Sequence, residues 1–224
     1  MLSFDLHAKA GVSPVTLQPA ALIVAGWTGR DEAALRHHIE ELAAIGVPRP
    51  SSVPVFYRNS VLNLTQAPVL EVLGPDTSGE AEPVIVSLGD RLCLTVGSDH
   101  TDRKAETQGI ALSKQLCAKP LGRELWVLDE VAGHWDQLKL RSFATIDGQR
   151  VLYQDGTLAG MRTPADLIAR YGSAFKPDTV MYCGTLAAIG GIRPASRFEM
   201  EIEDPVLGRT LKHGYDINAL PVVS

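Results

Sequence analysis

The stretch GEAEPVIVSLGDRLCLTVGSDH, residues 79–100, decides how the rest of the chain is read. Two apolar runs, Glu80 to Leu88 and Arg91 to Val96, straddle Gly89-Asp90, and this pattern predicts a β-hairpin. Glu80 and Glu82 stand two apart on the first strand, so both side chains leave the same face. Their Cα atoms are then about 7 Å apart, close enough for two glutamate stems to meet at one ion. Asp99 follows the second strand and offers a third oxygen. Three carboxylates suit a hard cation, Mg²⁺ first and Mn²⁺ or Ca²⁺ as alternatives, rather than zinc. Taken alone, the two glutamates read better as the solvated face of an edge strand, because alternating charge on a strand is common.

Outward from Asp99 runs GSDHTDRKAE, residues 97–106. A helix beginning near His100 would put Asp99, Arg103 and Glu106 on one face at i, i+4, i+7 spacing. Arg103 beside carboxylates would lower their pKa values or hold a substrate carboxylate; its other reading is a surface salt bridge of small value. Lys114 and Lys119 follow closely, and each also reads as a solvated lysine.

Toward the N-terminus, Ala21 to Gly26 reads as a buried strand and Asp31 to Ile45 as a helix, ended by GVPRP. Val53 to Tyr57 and Val69 to Leu73 are strand-like. Beyond residue 120, Leu138 to Ile146 and Arg150 to Tyr153 flank Asp147-Gly148, a hairpin turn. Pro164 to Tyr171 is a short helix with proline near its start and glycine after it. Val180 to Cys183, Phe198 to Ile202 and Thr210 to Ile217 complete the strands. Strands and helices rarely alternate, so the class is α+β, mainly β, and a parallel doubly wound sheet is excluded. There is no GxGxxG and no Walker loop.

Composition narrows the function. The chain has 224 residues, 45% of them hydrophobic, and a formal net charge of −5. That length fits one domain, and that balance excludes a mainly disordered chain. The mild acidity argues against nucleic-acid binding, which favours a basic surplus. No apolar run reaches the ~20 residues of a membrane span, and no signal peptide is read. Cys93, Cys117 and Cys183 are odd in number and far apart, which fits buried thiols in a reducing cytoplasm.

Six segments in order resemble the fumarylacetoacetate hydrolase superfamily. Glu80-Ala81-Glu82 resembles its E-x-E metal motif, and residues 97–103 resemble its G-N-D-x-S/T-A-R segment, in which the aspartate is the third ligand. Ser113-Lys114-Gln115 resembles the K-S-F stretch with the catalytic lysine. Residues 154–157 resemble the R-Q-x-x-x-T segment on the substrate side. Residues 176–185 resemble the L-x-P-G-D-x-I-x-T-G-T-P strand and turn, and residues 198–208 the closing strands. More weakly, residues 23–41 resemble the family's lid region, G-x-N-Y-x-x-H-x-x-E, and residues 54–60 the segment that follows it.

The resemblance implies a fumarylacetoacetate-hydrolase-like β-roll, with residues 1–66 as a small N-terminal lid-bearing region and residues 67–224 as the catalytic core. It implies a metal on Glu80, Glu82 and Asp99, and His38 with Glu41 as the water-activating pair. The pair His37 and Glu40 has the same spacing; His38 is preferred because an apolar residue follows both it and Glu41. Lys114 is implied as catalytic, and Arg103, Glu106, Tyr57, Arg58, Gly184 and Thr185 as substrate-binding. The expected reaction is hydrolytic cleavage of a C–C bond in a β-diketo or acylpyruvate-like 2-oxo acid, through a metal-stabilised enolate. Decarboxylation, tautomerisation and dehydration of oxo or sugar acids are the alternatives on that scaffold. A non-catalytic metabolite-binding relative and a structural subunit with an inert calcium are the rivals outside it. The expected partners are a small carboxylic acid and a second copy, as a homodimer. Four departures mark a divergent branch: a short link between Glu82 and Asp99, Asp102 where alanine is usual, Glu106 where glutamine is usual, and Cys183-Gly-Thr-Leu186 where the family has Thr-Gly-Thr-Pro. The two added charges beside the site are expected to disfavour a dianionic substrate.

Overall fold

The structure, a computed structural model, describes residues 1–44 and 49–223, with the side chains of residues 38 and 41–43 left outside the description. Thirteen strands build its two main sheets. In chain order they are β1 (Leu2–Ala8), β2 (Gly11–Leu17), β3 (Ala21–Gly26), β4 (Val55–Asn59), β5 (Val69–Leu73), β6 (Ala81–Leu88) and β7 (Arg91–Ser98). Then come β8 (Glu124–Val127), β9 (Lys139–Ile146), β10 (Gln149–Thr157), β11 (Thr179–Tyr182), β12 (Arg197–Asp204) and β13 (Arg209–Leu220). The helices are α1 (Glu32–Ala44), α2 (Arg103–Glu106), α3 (Ile110–Leu116), α4 (Leu128–Ala132) and α5 (Pro164–Tyr171).

The larger sheet has the order β2-β1-β8-β7-β6-β11-β3-β4, and the smaller one β10-β9-β12-β13-β5. The predicted hairpin is the centre of the larger sheet, with Ala81 paired to Ser98 and Leu88 to Arg91. On its other side β6 pairs antiparallel with β11. A strand flanked on both sides can be apolar throughout, and β6 is buried from Ala81 to Ser87. The edge-strand reading of Glu80 and Glu82 is therefore wrong.

Side chains alternate between two cores. Ile23, Ile85, Leu94, Trp126 and Met181 face the smaller sheet, where they meet Leu140, Tyr153, Phe198, Ile202 and Tyr215. Phe4, Leu6, Leu22, Val84, Val86, Leu125 and Tyr182 form a second cluster, drawn mostly from the larger sheet's own strands. The sheet thus curls around that cluster, which makes the molecule a β-roll, mainly β as expected. Residues 2–26 are built into this sheet, with β1 parallel to β8 and β3 parallel to β11. The sequence reading missed β1, β2 and β8. In β1 and β2 the apolar residues alternate with polar ones and give no continuous run, and in β8 the apolar run is only Leu125 to Leu128.

Where the roll tightens, Gly97 carries the constraint. A Cβ there would lie 2.7 Å from both the Tyr182 ring and Val84 Cγ2, and 3.0 Å from the Pro120 carbonyl. The Tyr182 hydroxyl donates to the Lys119 and Pro120 carbonyls, each at 3.0 Å, so the ring has no room to retreat. Gly97→Ala is expected to lower unfolding free energy by about 1–3 kcal/mol, the usual range for overpacking. Gly133→Ala, at a right-handed backbone position with open space, is expected to change it by less than about 1 kcal/mol. Urea unfolding of both variants checks the contrast.

Candidate functional site

The N-terminal end of β6 and the C-terminal end of β7 lie together, so Glu80, Glu82 and Asp99 arrive at one place. One oxygen of each lies within 4.8 Å of the others. Asp99 is fully buried and Glu82 nearly so, while Glu80 is partly open to the cavity. The segment after β7 departs from expectation. Residues 101–102 first pair with residues 77–78, and the helix starts only at Arg103, with the Asp102 carboxylate capping it through the Ala105 N–H at 2.8 Å. Asp99 therefore does not share a helix face with Arg103. Asp102 is a helix cap rather than a second added charge in the cavity.

Both lysines are buried, against the solvated reading. Lys114, on α3, ion-pairs with Asp99 Oδ2 and lies 3.5 Å from Glu80 Oε2. Lys119 is wholly inside, donating to the His100 carbonyl at 2.6 Å with its Nζ 3.0 Å from Asp99 Oδ1. Arg103 donates from Nε to Ser78 Oγ at 2.7 Å, from Nη1 to Glu106 at 2.9 Å and from Nη2 to Glu80 at 2.9 Å. Gly184 donates its N–H to Glu82 Oε2 at 2.7 Å. The backbone there has φ +101, and a Cβ would fall 1.8 Å from Thr28 Oγ1, so only glycine fits. Thr185 donates to the Ala81 carbonyl, and Gln154 ties the Thr185 hydroxyl and the Leu186 carbonyl to the Ala81 N–H.

These contacts set the charges. Burial and the neighbouring Asp99 and Glu80 push the Glu82 carboxyl well above its usual range. Burial also pushes Asp99 up, but Lys114 and Lys119 outweigh it and the net shift is downward. Burial alone would lower Lys114, yet Asp99 and Glu80 raise it. The donor set fits a hard divalent cation: three oxygens converge, and Glu82 has a single N–H donor against two carboxylate neighbours. A doubly charged ion there would remove the repulsion that raises Glu82.

Beside the cluster opens a cavity of about 830 Å³. Glu80, Glu82, Arg103, Glu106, Lys114, Tyr57, Gly184 and Thr185 line it, so the fold brings most of the expected site residues together. Arg58 is exposed and outside that lining. The His38 and Glu41 side chains lie outside the described residues, though both backbone positions fall in α1. Trp27, Met161 and Ile192 also line the cavity. Nothing in their local sequence marks them, since they come from three distant loops. His100, also missed, is fully buried behind the cluster, with Nδ1 2.9 Å from the Tyr215 hydroxyl and Nε2 2.8 Å from Thr77 Oγ1.

Residues 25–215 match a family described as "Protein of unknown function (DUF2848)". The chain belongs to the DUF2848 family. No curated protein matches it. Among solved structures, this DUF2848 chain is similar to a putative fumarylacetoacetate isomerase/hydrolase from Oleispira antarctica, at 19% identity and TM-score 0.68, covering 97% of this chain and 100% of that one. A yeast fumarylacetoacetate hydrolase family protein matches at 16% identity and TM-score 0.61, covering 92% and 95%. A 2-keto-3-deoxyarabinonate dehydratase matches at 15% identity and TM-score 0.63, covering 96% and 79%. This chain thus has the fumarylacetoacetate hydrolase fold. No helix among the described residues is long and apolar enough to cross a membrane.

Burial first, then the charges of Lys119 and Arg103, lower the His100 pKa to about 3. The unfolded ring titrates near its ordinary 6.5, so on acidification the unfolded chain takes up this proton first. The contribution of the neutral ring is whole above pH 6.5 and is lost as pH falls toward 3, by about 1.4 kcal/mol per pH unit. Ring ¹⁵N chemical shifts are expected to show His100 neutral at pH 5; a ring protonating near pH 6.5 would contradict the burial argument.

Proposed function

We propose that this protein is a divalent-metal-dependent enzyme acting on a small 2-oxo acid, with hydrolytic C–C cleavage of an acylpyruvate-like compound as its reaction. The observation that carries this is the convergence of Glu80, Glu82 and Asp99 at one end of a cavity that Lys114 also lines. Mg²⁺, or Mn²⁺ in its place, would be held by these three carboxylates and would supply Lewis acidity to the oxygens of the bound acid. Lys114 has its ammonium charge stabilised by Asp99 and Glu80 and stands beside developing negative charge on the substrate. Gly184 and Thr185 are held in register by Glu82, Ala81 and Gln154, so they form a fixed wall rather than a moving one. On α1, His38 would take the proton from water with Glu41 orienting it, as the superfamily resemblance implies. The Oleispira and yeast likenesses support the hydrolase reading, and the dehydratase likeness is its rival. We further propose that the chain works as a cytoplasmic homodimer.

Testing the ligand set needs a variant that folds. Asp99→Asn leaves two buried ammonium groups facing an amide, and breaking such pairs costs about 3–5 kcal/mol. Glu82→Gln is gentler, because burial and the neighbouring Asp99 and Glu80 already work against the charge that the amide removes. EPR titration of the metal-free protein with Mn²⁺ is expected to show one saturable site, weakened by about tenfold or more in Glu82→Gln. Uptake of Mn²⁺ unchanged by the variant would remove Glu82 from the ligand set. His38→Ala is expected to cut acylpyruvate turnover by about a hundredfold or more while leaving Mn²⁺ affinity within about threefold. A parallel loss of metal affinity would make His38 a ligand or a structural residue instead.

A further inference from the structure

The cavity's two ends differ in kind. At one end lie the carboxylates, Arg103 and Lys114; the remaining wall is largely carbon, from Trp27, Tyr57, Ile110, Met161, Leu186 and Ile192. Arg103 and Lys114 are its only lysine or arginine lining among the described residues. Neither is free. Every nitrogen of the Arg103 guanidinium has an acceptor, Ser78, Glu106 or Glu80, and Lys114 is held by Asp99 and Glu80. Glu106 takes Nη1, the arm not committed to the metal-ligand cluster or to Ser78.

The charges agree with this. With every carboxylate ionised, as a metal ligand must be, Glu80, Glu82, Asp99 and Glu106 stand against Arg103, Lys114 and Lys119, which leaves one negative charge. A divalent cation reverses that to one positive charge, which a single ligand carboxylate neutralises. A second carboxylate would enter a largely apolar cavity with no further lysine or arginine among the described lining residues to meet it, and an unpaired buried charge is strongly disfavoured.

We infer that the cavity takes a monoanion, a 2-oxo acid with one carboxylate at the acidic cluster and an uncharged apolar remainder, and that Glu106 enforces this by occupying Arg103 Nη1. This rests on the metal-dependent reading above. Glu106 acts through Arg103, as a specificity-determining residue rather than a catalytic one. A volume of about 830 Å³ leaves room beyond a pyruvate-sized head for a chain or ring of several carbons.

The test is calorimetric binding of 2-oxooctanoate and 2-oxooctanedioate, equal in length and differing in the terminal carboxylate, to Mn²⁺-loaded protein. Wild type is expected to prefer the monoacid by about tenfold or more. Glu106→Ala is expected to strengthen diacid binding relative to the monoacid by about tenfold. Equal or tighter diacid binding by wild type, which needs no variant, overturns the inference. An unchanged preference in Glu106→Ala overturns the role given to Glu106. Mn²⁺ uptake with neither acid bound overturns the inference and leaves the metal site standing; no Mn²⁺ uptake removes both.

Discussion

Asp99 is a carboxylate with no exposed surface, held between two buried ammonium groups. Taking such an ion from water costs several kcal/mol, and only close opposite charge offsets it. Lys114 reaches one oxygen and Lys119 the other. The two lysines sit on either side of the C-terminus of α3, so this contact fastens residues 99–119 into one closed turn at the end of the central hairpin. The closure propagates further. Asn59 donates to the Lys114 carbonyl at 2.8 Å, and residues 119–120 pair in parallel with residues 64–65. The segment after β4 is thus fixed by the same turn.

Behind the turn, a neutral polar chain ties the larger sheet to the smaller one. The Tyr215 hydroxyl donates to Ser98 Oγ at 2.9 Å and accepts from His100, whose other ring nitrogen accepts from Thr77. The Glu80 N–H in turn donates to Ser98 Oγ at 3.2 Å. The protein places charge at the front of this cluster and neutral donors at its back. That division is required, since the nearby charges of Arg103 and Lys119 would repel a protonated imidazole there.

Much of this was legible in residues 79–119. The hairpin follows from apolar runs around Gly89-Asp90, and the two glutamates at its mouth follow from strand alternation. β3, β5 and α5 are likewise marked by local pattern and end where it predicts. Helix α2 was misplaced because Asp102 was read as a charge within a helix, when its side chain ends the preceding extended segment by capping the next one. The burial of Lys114 and Lys119 was not legible at all. A lysine's sequence neighbours say nothing of a carboxylate folded over it, and Asp99 meets both only once the chain has turned back. Strands β1 and β2 escaped for a different reason: an antiparallel pair at a sheet edge can show a polar face, and its alternation is weak beside a buried run.

The two ends of the cavity are therefore encoded differently. The acidic end is local, carried by one hairpin and the turn that follows, and its charges depend on one another so closely that few of them can change alone. The apolar end is assembled from loops after β3, β10 and β11 and from the start of α3, brought together by the parallel pairing of β3 with β11 and the Gly29–Met161 bridge. Each of those segments contributes one or two side chains, and the loop after β11 also touches the carboxylate cluster, through the Gly184 N–H on Glu82. Glu106 lies where the two ends meet, partly exposed, bonded to Arg103 and outside the convergent trio. A change there alters the charge presented to a ligand without unfastening Asp99, which makes that position the one at which ligand choice and metal binding separate.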